Sequence, residues 1–244
     1  SDTDAIRLIR NDGSVEVNGR RELPIRKAPL TPVRDPVIVK RSLQKAWSES
    51  GAIADTFAES YLQRRVPMLD MDWLSNNLRA HPGLYHFDET TKAKSKHPCL
   101  VSRVLGVDGV PVTLHRTYLS SDGYKANVSP NQVKKQMTGS RRLNGDAIRL
   151  NGPKNVTRVL IVCEGIETGL ALVASTGNKH EVWSLLDAGN LAKAKIPRDR
   201  FDMVIIAADK DALNPKHGWR VGEHYAQVLE TRLREAGFAN KLDR

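Results

Sequence analysis

The hydrophobic pattern of the last third of the chain predicts a parallel β-sheet. Two apolar runs, Val159–Cys163 and Val204–Ala208, are continuous and do not alternate with polar residues. Such runs are typical of strands that are buried on both faces, as in a parallel sheet. They alternate with helical patterns, and the predicted elements are strand Arg158–Cys163, helix Glu167–Ser175, strand Glu181–Leu185, strand Met203–Ala208 and helix Gly218–Ala236. Residues 153–244 are therefore expected to form an α/β domain.

Three helices are predicted upstream. Apolar residues at three-to-four spacing predict a helix that begins at Val37 and ends at Gly51. Either Asp55 or Thr56 is a suitable cap for a second helix, because their side-chain oxygens accept hydrogen bonds from exposed backbone amides. A short third helix is expected over Met71–Leu78.

The next residues predict a small antiparallel or mixed sheet. Residues 81–150 contain several β-branched runs, with a strong hairpin turn at Asp108-Gly109. Gln132–Arg142 reads as a basic loop, and Ala147–Leu150 as a further strand of this sheet. Together with the helices, residues 36–152 are expected to form a basic α+β subdomain.

The first 35 residues predict little packed structure. Ala5–Ile9 and Ser14–Val17 are expected to pair as a small hairpin across Asp12-Gly13. Leu23–Pro36, with its spaced prolines, reads as an extended linker. Residues 1–35 are therefore interpreted as an extended N-terminal segment.

Composition narrows the class of partner. The 244 residues carry a net charge of +10, and residues 1–155 hold 25 Lys and Arg against 16 Asp and Glu, whereas the remainder is nearly neutral. An upstream basic excess suits a nucleic-acid surface, although the same residues can simply solvate the protein. The sequence has neither an apolar run of about 18 residues nor a secretory signal, and its two cysteines cannot make a disulfide framework. A cytoplasmic protein is expected.

Carboxylates follow both apolar runs of the predicted parallel sheet. Glu164 ends the first, and Asp209 and Asp211 follow the second. Since ligands of open parallel sheets bind at the carboxyl ends of the strands, these three side chains are expected at one edge. Carboxylate oxygens are suitable ligands for Mg²⁺ or Mn²⁺, and two such ions could assist phosphoryl chemistry. Each pattern alone is weak, because Asp-x-Asp is more often a turn or a helix cap.

These motifs resemble a known domain family. Cys163-Glu-Gly-Ile-Glu-Thr-Gly-Leu-Ala-Leu172, followed by Ala207-Ala-Asp-Lys-Asp211, resembles the Toprim domain of bacterial-type primases, topoisomerases and some nucleases. Asp187-Ala-Gly-Asn-Leu191 is similar to a loop of Toprim proteins from phages and mobile genetic elements. The resemblance implies a Rossmann-like parallel sheet with flanking helices, in which Glu164, Asp209 and Asp211 hold magnesium and act in catalysis.

The upstream sequence narrows the resemblance to primases. Ala58–Arg65 looks like the helix before the catalytic core of bacterial-type primases, and segments at 97–103, 111–119 and 122–126 resemble the basic subdomain of primase-like proteins from mobile elements. That subdomain binds template and nucleotides in the family. The residues that the resemblance implies for this role are Arg116, Lys125, Lys134, Lys135, Arg141 and Arg142.

The resemblance implies a DNA primase core, a nucleotidyltransferase that makes short RNA primers on single-stranded DNA from nucleoside triphosphates. It further implies a replicative helicase, or a helicase domain, as a partner. The sequence departs from the family in having no Cys/His zinc module before the core, and a further strand of the Toprim fold is expected beyond Arg244. The expectation is either a fragment of a larger primase or primase–helicase, or a minimal natural variant. A Toprim nuclease and a non-catalytic nucleic-acid binder remain open alternatives.

Overall fold

The computed structural model describes residues 7–9, 15–17, 20–22, 35–153, 157–209, 213 and 218–243. The chain forms two compact units, residues 1–35 and residues 36–244. The first unit contains a three-stranded antiparallel sheet of β1 (Arg7–Ile9), β2 (Val15–Val17) and β3 (Arg20–Glu22). The predicted hairpin between β1 and β2 is confirmed. Residues 23–34 of the expected linker lie outside the described residues.

The second unit begins with two helices and a single 3₁₀ turn. These are α1 (Pro36–Ser48), α2 (Phe57–Arg65) and the turn Met71–Trp73. Thr56 caps α2, since its side chain accepts a hydrogen bond from the Ala58 amide. The third helix predicted from Met71 is wrong beyond Trp73, because a long strand begins only five residues later.

An antiparallel sheet follows in the order β4-β5-β6-β7. Its strands are β4 (Leu78–Phe87), β5 (Lys94–Leu105), β6 (Pro111–Tyr118) and β7 (Lys134–Gln136). The turn between β5 and β6 contains Gly109 at a φ of 78°, as expected for Asp-Gly. The predicted basic loop is thus partly a strand, because β7 pairs with β6 along its edge.

A second sheet has the order β12-β11-β9-β10-β8, and its four strands from β12 to β10 are parallel. Its strands are β8 (Ile148–Arg149), β9 (Val159–Cys163), β10 (Glu181–Ser184), β11 (Met203–Ala207) and β12 (Ala239–Asp243). Its helices are α3 (Ile166–Ser175), α4 (Ala188–Leu191) and α5 (Val221–Glu235). The predicted α/β fold with a parallel sheet is confirmed.

One strand belongs to a different sheet from the one expected. The sequence placed Ala147–Leu150 in the small antiparallel sheet, but β8 pairs antiparallel with β10 at the edge of the parallel sheet. A single bridge from Ala147 to Leu105 still reaches β5. The chain therefore crosses from one sheet to the other at this strand, which ties the two sheets together.

The parallel sheet is buried on both faces. Leu160 and Val162 pack with α5 and Phe201 on one face, while Ile161 and Cys163 pack with α3 on the other. The core that contains Ile161 also includes residues of α2 and β5. The α+β part thus packs against the α3 face and shares one hydrophobic core with it. Among the described helices, none is long and apolar enough to cross a membrane.

Candidate active site

The two described carboxylates of the motif lie at one edge of the parallel sheet. Strands β9 and β11 are neighbours in register, with Cys163 opposite Ala207. Glu164 follows β9 directly, and Asp209 lies two residues beyond the end of β11; both are partly exposed. Because parallel strands end on the same side, the two residues share this edge. Asp211 lies outside the described residues, and its role stays a prediction.

The thiol of Cys163 lies at the end of β9, directly before Glu164. It is completely buried, and burial raises its pKa. The negative charges of Asp209, Glu164 and Glu167 raise the pKa of this thiol further, in that order. The negative charges of all three carboxylates thus act on one buried thiol at the end of β9.

The backbone of Glu164 is anchored by the neighbouring strand. Its carbonyl oxygen accepts a hydrogen bond of 2.7 Å from the Ser184 hydroxyl and one of 2.8 Å from the Leu186 amide. Leu186 has a φ of 75°, a left-handed conformation that is costly for a leucine. The chain after β10 thus adopts an unfavourable backbone conformation where it contacts Glu164, and this contact holds the main chain of Glu164 in place.

Gly165, which separates Glu164 from α3, has an ordinary backbone conformation. Its φ of −86° is accessible to any residue. A Cβ at this position would lie 3.2 Å from the Thr168 hydroxyl, in the first turn of α3. The glycine therefore provides room at the start of the helix, directly after Glu164.

The carboxylates fit a hard divalent cation. Glu164 and Asp209 offer oxygen donors, and magnesium takes oxygen ligands and retains several waters, so that few protein ligands suffice. Within the described ranges, no three His, Cys, Asp or Glu side chains form a group that could hold a metal ion. The donor chemistry of this pair nevertheless suits Mg²⁺ or Mn²⁺, and these two residues would hold the ion.

Glu167 joins the two sheets. Its Oε1 accepts a hydrogen bond of 2.5 Å from the Tyr61 hydroxyl of α2, and its Oε2 lies 2.7 Å from Lys134 Nζ of β7. Burial alone raises the pKa of Glu167, but the charge of Lys134 and hydrogen bonds from Lys134 and Tyr61 outweigh it and lower the pKa to about 2. Glu167 is therefore ionised, and its charge is matched by a lysine from the opposite sheet.

His115 lies in the same polar region and is neutral. Burial lowers its pKa to about 4, and the charge of Lys134 adds to the effect. By strand pairing, His115 is opposite Ser102, and Thr117 is opposite Lys134, so these side chains share the sheet face towards α2. His115 and Tyr61 were not predicted as site residues, because each occupies a position in its strand or helix where an apolar residue is expected.

The six basic residues expected to bind nucleic acid do not form one cluster. Lys134 and Lys135 are consecutive in β7 and therefore point to opposite faces. Lys135 donates to the Phe87 carbonyl at 2.6 Å, and Arg116 donates to the Tyr85 and Gln136 carbonyls. These two side chains hold the outer face of the antiparallel sheet together.

Of the remaining three, Arg141 is about half exposed but forms an ion pair with a buried carboxylate. It donates two hydrogen bonds of 2.6 Å to Asp146, a residue that is 1% exposed. Asn190 of α4 donates to the Asp146 carbonyl and accepts from the Gly145 amide, which couples this loop to the parallel sheet. Lys125 and Arg142 are exposed.

Two known domain families match parts of the chain. Residues 159–242 match the Toprim domain family, which confirms the resemblance drawn from the glutamate and Asp-x-Asp motifs. Residues 39–150 match a domain family of unknown function, DUF7146. No curated protein sequence matches the chain significantly. The parallel sheet is thus a Toprim domain, and most of the α+β part is similar to a domain family whose function is unknown.

Solved structures with a similar fold include several primases. The Aquifex aeolicus primase, solved with its zinc-binding and RNA polymerase domains, is 14% identical, with a TM-score of 0.50, 91% of this chain covered and 57% of that chain. The primase fragment of the bacteriophage T7 primase-helicase is 15% identical, with a TM-score of 0.42, and the match covers 61% of this chain and 53% of that chain. The Escherichia coli primase catalytic core is 14% identical, with a TM-score of 0.46, and the match covers 85% of this chain and 71% of that chain. The chain thus spans little more than half of the T7 and Aquifex chains, and the Aquifex match supports the fold.

Proposed function

We propose that the chain is the catalytic core of a DNA primase, which joins nucleotides into short RNA primers on a single-stranded DNA template with magnesium. The observation that carries this proposal is the placement of Glu164 and Asp209 at one edge of a Toprim sheet that shares its core with a basic α+β domain. An acidic edge suits a divalent metal, and the net positive charge upstream suits polyanionic template and triphosphates.

The reaction follows from this arrangement. The 3′-hydroxyl of one nucleotide attacks the α-phosphorus of the next; a P–O bond forms, the bond to pyrophosphate breaks so that pyrophosphate leaves, and the hydroxyl proton passes to water. Glu164 and Asp209 would hold Mg²⁺, which would supply charge neutralisation at the phosphates and favour the deprotonated hydroxyl. Asp211, which follows Asp209 closely in sequence, is proposed as a further ligand.

The basic residues divide the remaining work. Lys125 and Arg142 are proposed to bind phosphates of the template and of incoming nucleotides, because both side chains are exposed to solvent. Lys134 keeps part of its side chain exposed while bound to Glu167, and is proposed to lie beside the reacting phosphates. Arg116, Lys135 and Arg141 are proposed to act indirectly, because they hold the backbone and a buried carboxylate in place.

A primer-synthesis assay tests the proposal. The chain is incubated with single-stranded DNA, labelled ribonucleoside triphosphates and Mg²⁺, and a parallel reaction contains end-labelled template. Magnesium-dependent oligoribonucleotides on an intact template support the primase. Cleaved template without product would instead identify a Toprim nuclease. Absence of both reactions, with DNA affinity independent of magnesium, would identify a non-catalytic binder.

A further inference from the structure

The surface beside α2 carries an exposed aromatic ring stacked on a guanidinium. Arg64 Cζ lies 3.9 Å from the centroid of the Tyr124 ring, and Tyr124 remains 57% exposed. In the other arginine–aromatic pairs of the described residues, the ring belongs to a buried side chain, Trp47, Tyr118, Trp183, Phe201 or Phe238. The Tyr124 pair therefore differs from those that stabilise the core.

The ring is held in place by a tight turn. Ser120 and Tyr124 exchange backbone and side-chain hydrogen bonds, and Arg64 donates to the Asp122 carbonyl at 2.9 Å. Gly123 has a φ of 79°, and a Cβ there would lie 2.6 Å from Ser60 Cβ, so the turn packs directly on α2. A ring that is fixed beforehand loses little entropy when a ligand stacks on it.

Helix α2 connects this ring to the acidic edge. Tyr61 donates to Glu167, and Arg64 and Arg65 follow Tyr61 by three and four residues, which places them beside it on the helix surface. Lys125 follows Tyr124 in the sequence and is exposed. Asp122 is the acidic residue of the turn, and its carboxylate accepts a hydrogen bond from the Ser120 hydroxyl. One helix thus contacts both Glu167, through Tyr61, and the Tyr124 ring, through Arg64.

We propose that Tyr124, Arg64 and Lys125 form a stacking site for one base of a single-stranded nucleic acid that extends from the acidic edge. Aromatic rings stack on any base, and neighbouring cations attract the backbone, which is the combination that binds single strands without sequence preference. The proposal deepens the proposed function, because it rests on a single-stranded template, and assigns to Tyr124 a contact outside the reacting centre.

Binding of the full chain to two oligonucleotides tests the site. Fluorescence anisotropy is measured with labelled oligo(dT) and with an abasic strand of the same length. Tyr124→Ala is expected to weaken oligo(dT) binding about tenfold, because one base loses its stacking partner, and to leave abasic binding unchanged. Lys125→Ala is expected to weaken binding of both strands and to reduce the salt dependence.

Tyr85→Ala provides the matched control. Tyr85 is 50% exposed, and among the described residues no guanidinium lies over its ring. Tyr85→Ala and Tyr124→Phe should bind oligo(dT) within about twofold of the parent. Equal oligo(dT) binding by the parent and Tyr124→Ala, or an equal loss on the abasic strand, overturns the site, as does a parent that binds neither strand. Because binding is measured without nucleotides, this result is independent of whether primers are made.

Discussion

Lys134 Nζ lies 2.7 Å from Glu167 Oε2, and this ion pair connects the antiparallel sheet to the first turn of α3. The Glu167 side chain is 13% exposed and that of Lys134 is 40% exposed. Glu167 also lies three residues after Glu164, so the pair fixes the basic domain close to the acidic edge. The proposed primer synthesis would need this proximity, because template and triphosphate must reach the proposed metal ligands.

Removing Lys134 is expected to destabilise the protein. In Lys134→Met the mostly buried Glu167 loses its cationic partner, which should lower the free energy of unfolding by about 1–3 kcal/mol. The double variant Lys134→Met/Glu167→Gln should recover part of this loss, because no unpaired charge remains. Urea denaturation measures both. Lys45→Met, which removes the exposed pair with Glu49, is the control and should cost under about 0.5 kcal/mol. Equal effects at Lys45 and Lys134 would contradict the account.

Acid should destabilise the protein through Glu167. Its pKa falls from 4.5 in the unfolded chain to about 2 in the folded protein. The stabilisation is therefore fully present above about pH 4.5 and is lost as the pH falls towards 2. Urea midpoints between pH 6 and pH 2.5 should decrease less steeply in Glu167→Gln than in the parent. Parallel curves for the two proteins would show that Glu167 is not stabilised in its charged form.

Gly169 allows α3 to approach the sheet closely. A Cβ there would lie 2.3 Å from Leu150 Cδ1 and 2.9 Å from Cys163 Sγ, both in buried side chains. Gly169→Ala should therefore lower the free energy of unfolding by about 1–2 kcal/mol, although alanine favours helix. Gly152→Ala, with nothing within 4 Å of the new Cβ, should have little effect. A stabilised Gly169→Ala would show that the helix has room to move.

The parallel sheet was predictable because its strands are long apolar runs. Val159–Cys163 is almost entirely buried, and Val204–Ala207 is buried on one face and partly buried on the other, so their apolar pattern is clear in the sequence. The two residues of β8 carry no such signal, and their sheet is decided by distant partners such as Trp183. Strand β12, with Asn240 and Lys241 in it, lacks a continuous apolar run and was not predicted.

The site was only partly predictable from the sequence. The reason is the geometry of β-strands, in which consecutive side chains point to opposite faces. Position after an apolar run is sufficient to place Glu164 and Asp209 at one edge. The partners of a basic residue depend on the side of the strand, and Lys134 and Lys135 differ there although they are adjacent. A count of positive charges cannot distinguish a lysine that binds a buried glutamate from one that supports a backbone carbonyl.

The most direct test of the central claim is the rate of primer synthesis by Asp209→Asn. We expect a decrease of about 10²–10³-fold, since one electrostatic stabiliser of the transition state is lost, with single-stranded DNA affinity unchanged. Asp202→Asn is the matched control, because Asp202 precedes the same strand at its opposite end and pairs with Arg158 on the surface. It should retain the parent rate. Primer synthesis by Asp209→Asn at the parent rate would contradict the assignment of this edge as the metal site.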